Sequence, residues 1–226
     1  MWWRIAGPLV FGLVGAAILL SLGIWQSKRL IWKEDILAEI DRRIIHAPVD
    51  LPAQPSEAAD EYLAVKVTGQ VMPGEIHILV SSAASGPGYR VVAPFETGTR
   101  RILVDRGFVR QSQKNAARAL VTGDVVGNLL WPDEMDAGFT PKPNFETNTW
   151  FARDLPAMAA HLEADPILVV LRMPSVGDDV VSPWPVSRAG IPNNHLNYAI
   201  TWFLMAAAWL GMTGYWLWRI RRQSDE

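Results

Sequence analysis

The sequence predicts an α+β protein in which two transmembrane helices flank a mainly antiparallel β domain that carries one or two helices. Two runs without a charged residue lie near the ends of the 226-residue chain, from Ile5 to Trp25 and from Tyr198 to Trp218. Between them, short alternating segments are separated by Gly and Pro turns, as in an antiparallel sheet. The 11 Trp against 4 Tyr fit aromatic belts at membrane interfaces.

Each uncharged run is long enough to cross a membrane, since the hydrocarbon core needs about 20 apolar residues as helix. The first run could instead be a secretory signal peptide, cleaved near Ser21–Gly23. Its length exceeds the roughly 7 to 15 residues of a signal core, which favours a retained helix. We therefore predict a first transmembrane helix at residues 1–25 and a second at 193–218.

The basic residues beside these runs predict the orientation. Three arginines follow the second run at once: Arg219, Arg221 and Arg222. They favour the cytoplasm, so a cytoplasmic tail at 219–226 and a cytoplasmic N-terminus are expected. Lys28 and Arg29 would lie on the outer side, but long loops are translocated largely regardless of charge. Because the first run begins too near Met1 for a mitochondrial transit peptide, we expect a bacterial cytoplasmic (inner) membrane and a periplasmic domain.

The outer segment begins with a continuation of the first helix. Within residues 26–46, apolar side chains recur at helical spacing, at Leu30, Ile31, Trp32, Ile36, Leu37, Ile40 and Ile44. A Pro- and Ala-rich stretch without a period follows at 47–60 and is expected to be a connector. The periplasmic α+β domain is placed at residues 47–192, a common domain size.

Six alternating segments predict the strands of this domain, at residues 62–71, 75–82, 89–96, 100–110, 123–131 and 166–173. The Gly-Pro-Gly at 86–88 lacks the lysine of a phosphate loop and is expected to form a hairpin turn. Between the last two strands, Asp154 is predicted to cap a helix that begins at Leu155 and Pro156.

Composition and spacing exclude several kinds of site. Without cysteine, the chain holds no disulfide, no thiolate metal site and no covalently attached c-type haem. A net charge of -2 gives no sign of a nucleic-acid partner. Asp105 and Arg106 are neighbours in a strand and point to opposite faces, so we expect separate surface or sheet-edge charges and no acid–base pair. His46, His77 and His161 lack a second ligand at metal-binding spacing.

His195 differs from these by its location at the start of the second apolar run. A helix that begins near Pro192 or Asn193 places four residues on the same face as His195: Tyr198, Ala199, Trp202 and Ala206. In one interpretation, His195 and the preceding asparagines cap the helix and lie among lipid headgroups.

In the other interpretation, the neutral imidazole of His195 binds haem iron. The porphyrin would then lie along Tyr198 and Trp202, and its propionates would contact the cations expected at the same membrane face: Lys28, Arg29 and Arg188. Small residues are expected to bring the two helices together, at Gly12 and Ala16 in the first and at Ala207 and Gly211 in the second.

Five segments follow one another along nearly the whole chain: LGIWQSKRLIWK, GPGYRVVAPF, ILVDRGFV, TWFARDLPAMA and NNHLNYAITWF. Taken in this order, they resemble the Surfeit locus 1 family of cytochrome c oxidase assembly factors. The sequence departs from the family pattern at Asp105, Arg110, Phe151 and Ala152. These departures lie in the domain and not at the histidine.

The resemblance implies a non-enzymatic assembly factor that helps to build subunit I of haem-copper oxidase. It further implies haem a as cofactor, with His195 as the iron ligand, and haem a synthase, oxidase subunit I and membrane lipid as partners. A cofactor-free membrane scaffold that stabilises oxidase assembly intermediates is the alternative. A haem-modifying enzyme is third, because neither apolar run offers a partner histidine.

Overall fold

A computed structural model describes residues 2–82, 85–174 and 178–223. The chain divides into two compact units: the residues up to Glu39 together with those from Arg188 onward, and Ile40–Ser187. The first unit is helical, and the second is built on a β-sheet. The predicted fold class, α+β with apolar helices at both ends of a mainly antiparallel domain, is confirmed.

The described residues form four α-helices: α1 (Trp2–Ile45), α2 (Glu57–Asp60), α3 (Leu155–His161) and α4 (His195–Arg222). Two stretches of helix, Ile5–Ile45 and His195–Arg222, are long and apolar enough to cross a membrane. Helix α1 continues without a break beyond its uncharged run, as predicted for residues 26–46. The assignment of 1–25 and 193–218 to the bilayer, and of 47–192 to the periplasm, stays a prediction.

Helices α1 and α4 pack against each other in antiparallel directions within the first unit. A methyl group added at Gly12 would collide with Thr213, and one added at Gly23 would lie 2.7 Å from the ring of Phe203. The indole N–H of Trp209 also donates a hydrogen bond of 3.0 Å to the Gly12 carbonyl. The backbones therefore approach closely where α1 has no side chain, as at helix pairs that associate in membranes.

The residues of α4 that are buried or half-buried recur three or four apart, which defines one face of a helix. We call this face the α4 seam, and it contains His195, Ala199, Trp202, Ala206, Trp209 and Thr213. The predicted contacts at Gly12 and Ala16 of α1 are confirmed, since both are buried. The predicted contacts at Ala207 and Gly211 are wrong, because both are exposed. Ala207 is turned about 100° from Ala206, and Gly211 is turned about 200° from Trp209.

The second unit contains an eight-stranded sheet within the described residues. Its strands are β1 (Val49–Asp50), β2 (Ala64–Val71), β3 (Ile76–Ser82), β4 (Gly86–Thr97), β5 (Arg101–Arg110), β6 (Thr122–Leu130), β7 (Thr149–Trp150) and β8 (Leu168–Leu171). All six predicted strands are present. The two-residue strands β1 and β7 were not predicted, because two residues carry no alternation.

Five of these strands close into a barrel in the order β2-β6-β8-β5-β4, and β4 then returns to β2. The closing pairs run from Gly69 with Thr97 to Val71 with Phe95. Gly69 permits this approach, because a Cβ there would collide with the Glu96 carbonyl. Neighbouring strands of the barrel are antiparallel except β5 and β8, which are parallel. Closure leaves these five strands without a free edge over the paired residues.

Two large apolar cores and a smaller cluster around Tyr89 and Val91 hold the described residues of this unit together. The barrel interior is filled by Val65, Val67, Val71, Ala93, Phe95, Ile102, Val104, Val125, Leu129, Ile167, Val169 and Leu171. A second core lies where α3 packs against residues of β3, β4, β5 and β8, around Trp150 and Met158. The predicted cap of α3 is confirmed, since the Asp154 carboxylate accepts a hydrogen bond of 3.1 Å from the Ala157 N–H.

The chain that follows β8 is attached to β5 at Phe108. The N–H groups of Phe108 and Ser182 each donate to the other residue's carbonyl, at 2.7 and 2.9 Å. Gly107 has φ +120°, and a Cβ there would meet the Ser182 carbonyl and lie 2.9 Å from the Cα of Pro183. Glycine at 107 is therefore required both by the backbone angle and by the neighbouring chain.

We expect Gly12→Leu to destabilise the first unit by about 1–3 kcal/mol, because the added side chain has no room against Thr213. Gly211→Leu is the matched control, since the same change on α4 enters open space. The measurement is the free energy of unfolding of the full chain in mixed detergent micelles. Equal losses for the two variants would contradict the packing of α1 on α4.

We expect Gly107→Ala to lower the melting temperature of the second unit more than Gly123→Ala does. Both glycines have positive φ, +120° and +132°, so both variants carry a backbone strain of about 1–3 kcal/mol. Only at Gly107 does the new methyl also meet another segment, since nothing lies within 4 Å at Gly123. Thermal melts of the full chain, followed by circular dichroism of the β signal, compare the variants. A larger loss at Gly123 would show that the 182–183 segment does not crowd β5.

Candidate functional site

The candidate site lies in the first unit, where His195 begins α4. The Nδ1 atom of His195 lies 2.8 Å from the side-chain oxygen Oε1 of Gln26 on α1. An amide oxygen can only accept a hydrogen bond, so in this orientation of the Gln26 amide the neutral imidazole carries its proton on Nδ1. The lone pair is then on Nε2, which is the form in which imidazole binds a metal.

The second ring nitrogen of His195 has no competing partner within the described part of the chain, where the contact with Gln26 is the one hydrogen bond of this side chain. The side chain itself is half-buried. His195 is thus held through one nitrogen and has the other available for a ligand.

The start of α4 lacks the side-chain cap that one interpretation of its sequence predicts. Asn194 is the N-cap residue, and its side chain makes no capping hydrogen bond to the described residues. Its carbonyl accepts the Tyr198 N–H at 3.3 Å. The Oδ1 atom of Asn193 is buried without a hydrogen-bond partner among the same residues. The polar residues at this helix end are therefore not accounted for by capping.

The two aromatic candidates lie on different parts of the α4 surface. Trp202 is half-buried on the α4 seam, two turns after His195. Tyr198 is 56% exposed and lies about 60° from His195 around the helix axis. Ala199 and Ala206, at 4% and 1% exposure, take the innermost positions. The four residues predicted to share a face with His195 therefore differ in exposure. Ala199, Trp202 and Ala206 are buried or half-buried, whereas Tyr198 is exposed.

The three candidate cations all belong to the same unit as His195. Lys28 and Arg29 are exposed on α1, two and three residues beyond Gln26. The Arg29 guanidinium lies 4.4 Å from the ring centroid of Trp32, a cation–π contact. Arg188 is exposed in a 3-10 turn at Arg188–Gly190. Their contact with propionates stays a prediction.

The other three histidines lie in the second unit and are engaged there. His77 is buried, with Nε2 at 2.8 Å from the Glu75 carboxylate. His161 stacks on Phe145 with ring centroids 5.3 Å apart, and the exposed His46 has Nδ1 3.0 Å from a carbonyl of the next residue. In residues 2–82, 85–174 and 178–223, no group of three or more His, Cys, Asp or Glu could hold a metal ion.

The expectation that Asp105 and Arg106 are surface or sheet-edge charges is wrong, since they are 0% and 2% exposed. They do face different partners. Asp105 Oδ2 lies 2.9 Å from Nε of Arg90 and 3.5 Å from Nη1 of Arg153, whereas Arg106 pairs with Asp178. The reason is barrel closure: β5 is paired with β4 and with β8, so it has no open edge there.

Glu134, an exposed residue, adds a second carboxylate at the edge of the charge cluster around Asp105. The backbone N–H and the Nε–H of Arg153 each donate to this carboxylate at 3.0 Å. Burial opposes ionisation of Glu134, but the hydrogen bonds and charge of Arg153 outweigh it and lower the pKa of Glu134. Burial lowers the pKa of Arg90 against the opposing charge of Asp105. The cluster thus contains two basic residues, Arg90 and Arg153, and two acidic residues, Asp105 and Glu134. Such paired charges are typical of structural ion pairs and not of an acid–base pair in catalysis.

Sequence reasoning missed Gln26 as a candidate. The residue stands in the LGIWQSKRLIWK segment, directly after the first uncharged run, as His195 stands just before the second. Two uncharged runs that pack as antiparallel helices bring the end of the first beside the start of the second. A polar side chain at each of these two positions is the signal that could have identified the pair.

Comparison with known proteins gives consistent similarities over most of the chain. The model of the SURF1 family matches residues 13–207. Human Surfeit locus protein 1 is 34% identical over 216 residues, which cover 83% of this chain and 70% of the human protein. The mouse protein of the same name is 32% identical over 88% of this chain and 72% of its own length. The SURF1-like protein of Rickettsia prowazekii (strain Madrid E) is 30% identical over 84% of this chain and 81% of its own.

The matched range contains both residues of the candidate site, Gln26 and His195, and the whole β unit. The family match spans most of the chain, and the identity to the human relative exceeds 30% over more than four-fifths of it. The chain therefore belongs to the SURF1 family, which is known as a family of cytochrome c oxidase assembly factors.

Proposed function

We propose that this protein assists the assembly of cytochrome c oxidase by binding haem a through His195 and assisting its insertion into subunit I. The observation that supports this most directly is the hydrogen bond of 2.8 Å between His195 Nδ1 and Gln26 Oε1. It keeps Nε2 as the metal-binding nitrogen of a neutral imidazole. Histidine ligands in proteins are usually held in this way, through their other ring nitrogen.

The residues around His195 are of the chemical types that haem a would need. When bound, haem a would supply an iron that accepts an imidazole nitrogen as its ligand. Its propionates would form hydrogen bonds with cationic side chains. Exposed Tyr198 and half-buried Trp202 offer apolar aromatic surface on the same helix. Three exposed basic residues of the same unit would hold the carboxylates: Lys28, Arg29 and Arg188.

In the proposed placement, α1 and α4 cross the bacterial cytoplasmic (inner) membrane, both termini are cytoplasmic, and the β unit is periplasmic. Arg219, Arg221 and Arg222 at the end of α4 favour this orientation. His195 then lies at the outer surface of the bilayer, where an apolar ligand surface can contact lipid and charged groups can contact water. Haem a synthase, which produces the ligand in the same membrane, would be the donor, and oxidase subunit I the acceptor.

The number of histidines favours a carrier over an enzyme that modifies haem. The chain has four histidines, and three of them lie within Ile40–Ser187. The helical unit therefore has one histidine, His195, and cannot provide two histidine ligands to one iron. A single imidazole is easier to exchange than a pair, which suits a protein that must surrender its ligand.

We expect His195→Ala to remove most of the haem a from protein purified in detergent after co-expression with haem a synthase. The imidazole is the proposed protein ligand of the iron, so the haem-to-protein ratio should fall about tenfold or more, in the range expected when a metal-site interaction is lost. His46→Ala is the matched control, because His46 is exposed and lies in the other unit. The absorption spectrum and a haem assay measure the ratio.

Two results would count against the proposal in different ways. Equal haem a in wild type and His195→Ala would mean that His195 is not the ligand. Loss of haem a in the variant, with normal oxidase activity in cells that carry it, would favour a cofactor-free scaffold that stabilises assembly intermediates. The proposal requires that haem content and oxidase assembly fall together.

A further inference from the structure

Gln26 is distinguished from the neighbouring serines of α1 by the partner that its side chain contacts. The hydroxyls of Ser21 and Ser27 donate to carbonyls one turn earlier in their own helix, at 2.6 and 3.0 Å. Gln26 instead reaches the imidazole of His195 on α4, 169 residues away in sequence. A half-buried amide that bonds across a helix pair contributes an interaction that helix formation alone does not require.

We propose that Gln26 is the positioning residue of the haem site: its Oε1 holds the Nδ1–H tautomer of His195 and directs Nε2 toward the iron. This inference rests on the proposed function, because it assigns a role relative to the same ligand. Without an acceptor at Nδ1, the imidazole can move its proton to Nε2, and that tautomer has no lone pair to give there.

Small residues on both helices set the distance that Gln26 must span. One turn before it, Gly23 lies against Phe203 so closely that a methyl group would be 2.7 Å from the ring. One turn after His195, Ala199 is buried in the α4 seam. At this separation a glutamine side chain reaches Nδ1 with a hydrogen bond of normal length. An asparagine would be shorter by about 1.5 Å, one carbon–carbon bond, and would not reach.

The neutral character of the amide is part of the proposed role. A carboxylate that accepts the Nδ1 proton raises the basicity of a histidine ligand and strengthens its bond to the metal. An amide oxygen orients the ring equally well but carries no full charge. Gln26 therefore gives a correctly oriented ligand of moderate strength, which suits a site that takes up haem and then releases it.

Haem binding by purified full-length variants tests the positioning role. Ferric haem b, titrated into the detergent-solubilised apo protein, serves as the probe. We expect Gln26→Leu and Gln26→Asn to weaken binding by about 10- to 100-fold, the usual effect of losing a hydrogen-bond partner of a metal ligand. Gln26→Glu keeps an acceptor at the same reach and should restore binding. Gln223→Leu, at the exposed C-cap of α4, is the control for the same change elsewhere.

Release of haem tests the role of the neutral amide. After loading with ferric haem b, each protein is mixed with excess apomyoglobin, which captures the haem that dissociates. We expect Gln26→Glu, measured at a pH where the carboxylate is ionised, to release its haem several-fold more slowly than wild type. Release at the wild-type rate would overturn the claim that the uncharged acceptor moderates the ligand.

A measurement on the apo protein removes any dependence on haem. With 15N-labelled histidine, the chain shows four imidazoles, and the His195 signal is the one that His195→Ala lacks. Wild type is expected to show the Nδ1–H tautomer, and Gln26→Leu a shift toward Nε2–H. Gln26→Glu should keep the wild-type tautomer, which shows that the fold tolerates a change at this position.

The outcomes separate this inference from the proposed function. If His195→Ala binds haem as well as wild type, the proposed function fails. If His195→Ala loses binding while Gln26→Leu keeps both the wild-type affinity and the Nδ1–H tautomer, only the positioning role of Gln26 is overturned. If Gln26→Leu and Gln26→Asn lose affinity and the tautomer while Gln26→Glu retains both, the inference is supported.

Discussion

Close approach of the α1 and α4 backbones is the constraint on which the candidate site depends. Gly12 and Gly23 have no side chain where α1 contacts Thr213 and Phe203 of α4. On the α4 seam, Ala199 and Ala206 are buried. Packing of this kind is the main attraction between apolar helices in lipid, where the hydrophobic effect no longer drives association. The hydrogen bond from His195 to Gln26 needs this separation, because a side chain of fixed length spans it. The contact between His195 Nδ1 and Gln26 Oε1 thus depends on glycines up to four turns away.

The β unit is subject to a different constraint, the burial of charged side chains. Asp105 and Arg106 on β5 are buried together with Arg90, and half-buried Arg153 lies beside Asp105. Each buried guanidinium has a carboxylate beside it, and such pairs contribute little net stability but are costly to break singly. The cluster therefore fixes which strands and loops come together more than it adds to the free energy of unfolding.

How much of this could be predicted depends on the range of the interaction involved. Uncharged runs, alternation and the Asp154 cap are local patterns, and they gave the long helices, the six main strands and α3. Pairing of β2 with β4 joins residues 69–71 to 95–97 and has no local signature, so neither barrel closure nor the burial of Asp105 followed from the sequence. Helix phase was the other failure, since Ala207 and Ala206 differ by one residue yet lie about 100° apart on the helix. Gln26 was missed because its partner is 169 residues away.

The first unit carries more than anchoring requires, which supports a binding role for it. A membrane anchor needs length and apolarity, and α1 and α4 meet both conditions by composition. Anchoring alone does not call for glycine at 12 and 23, or for a half-buried amide at 26 beside an imidazole. In an apolar environment each polar group is costly unless it is satisfied, so two such groups on different helices are tolerated most readily as a pair. The proposed role, an imidazole held at Nδ1 with Nε2 left to bind haem iron, would account for the glycines, the amide and the histidine together.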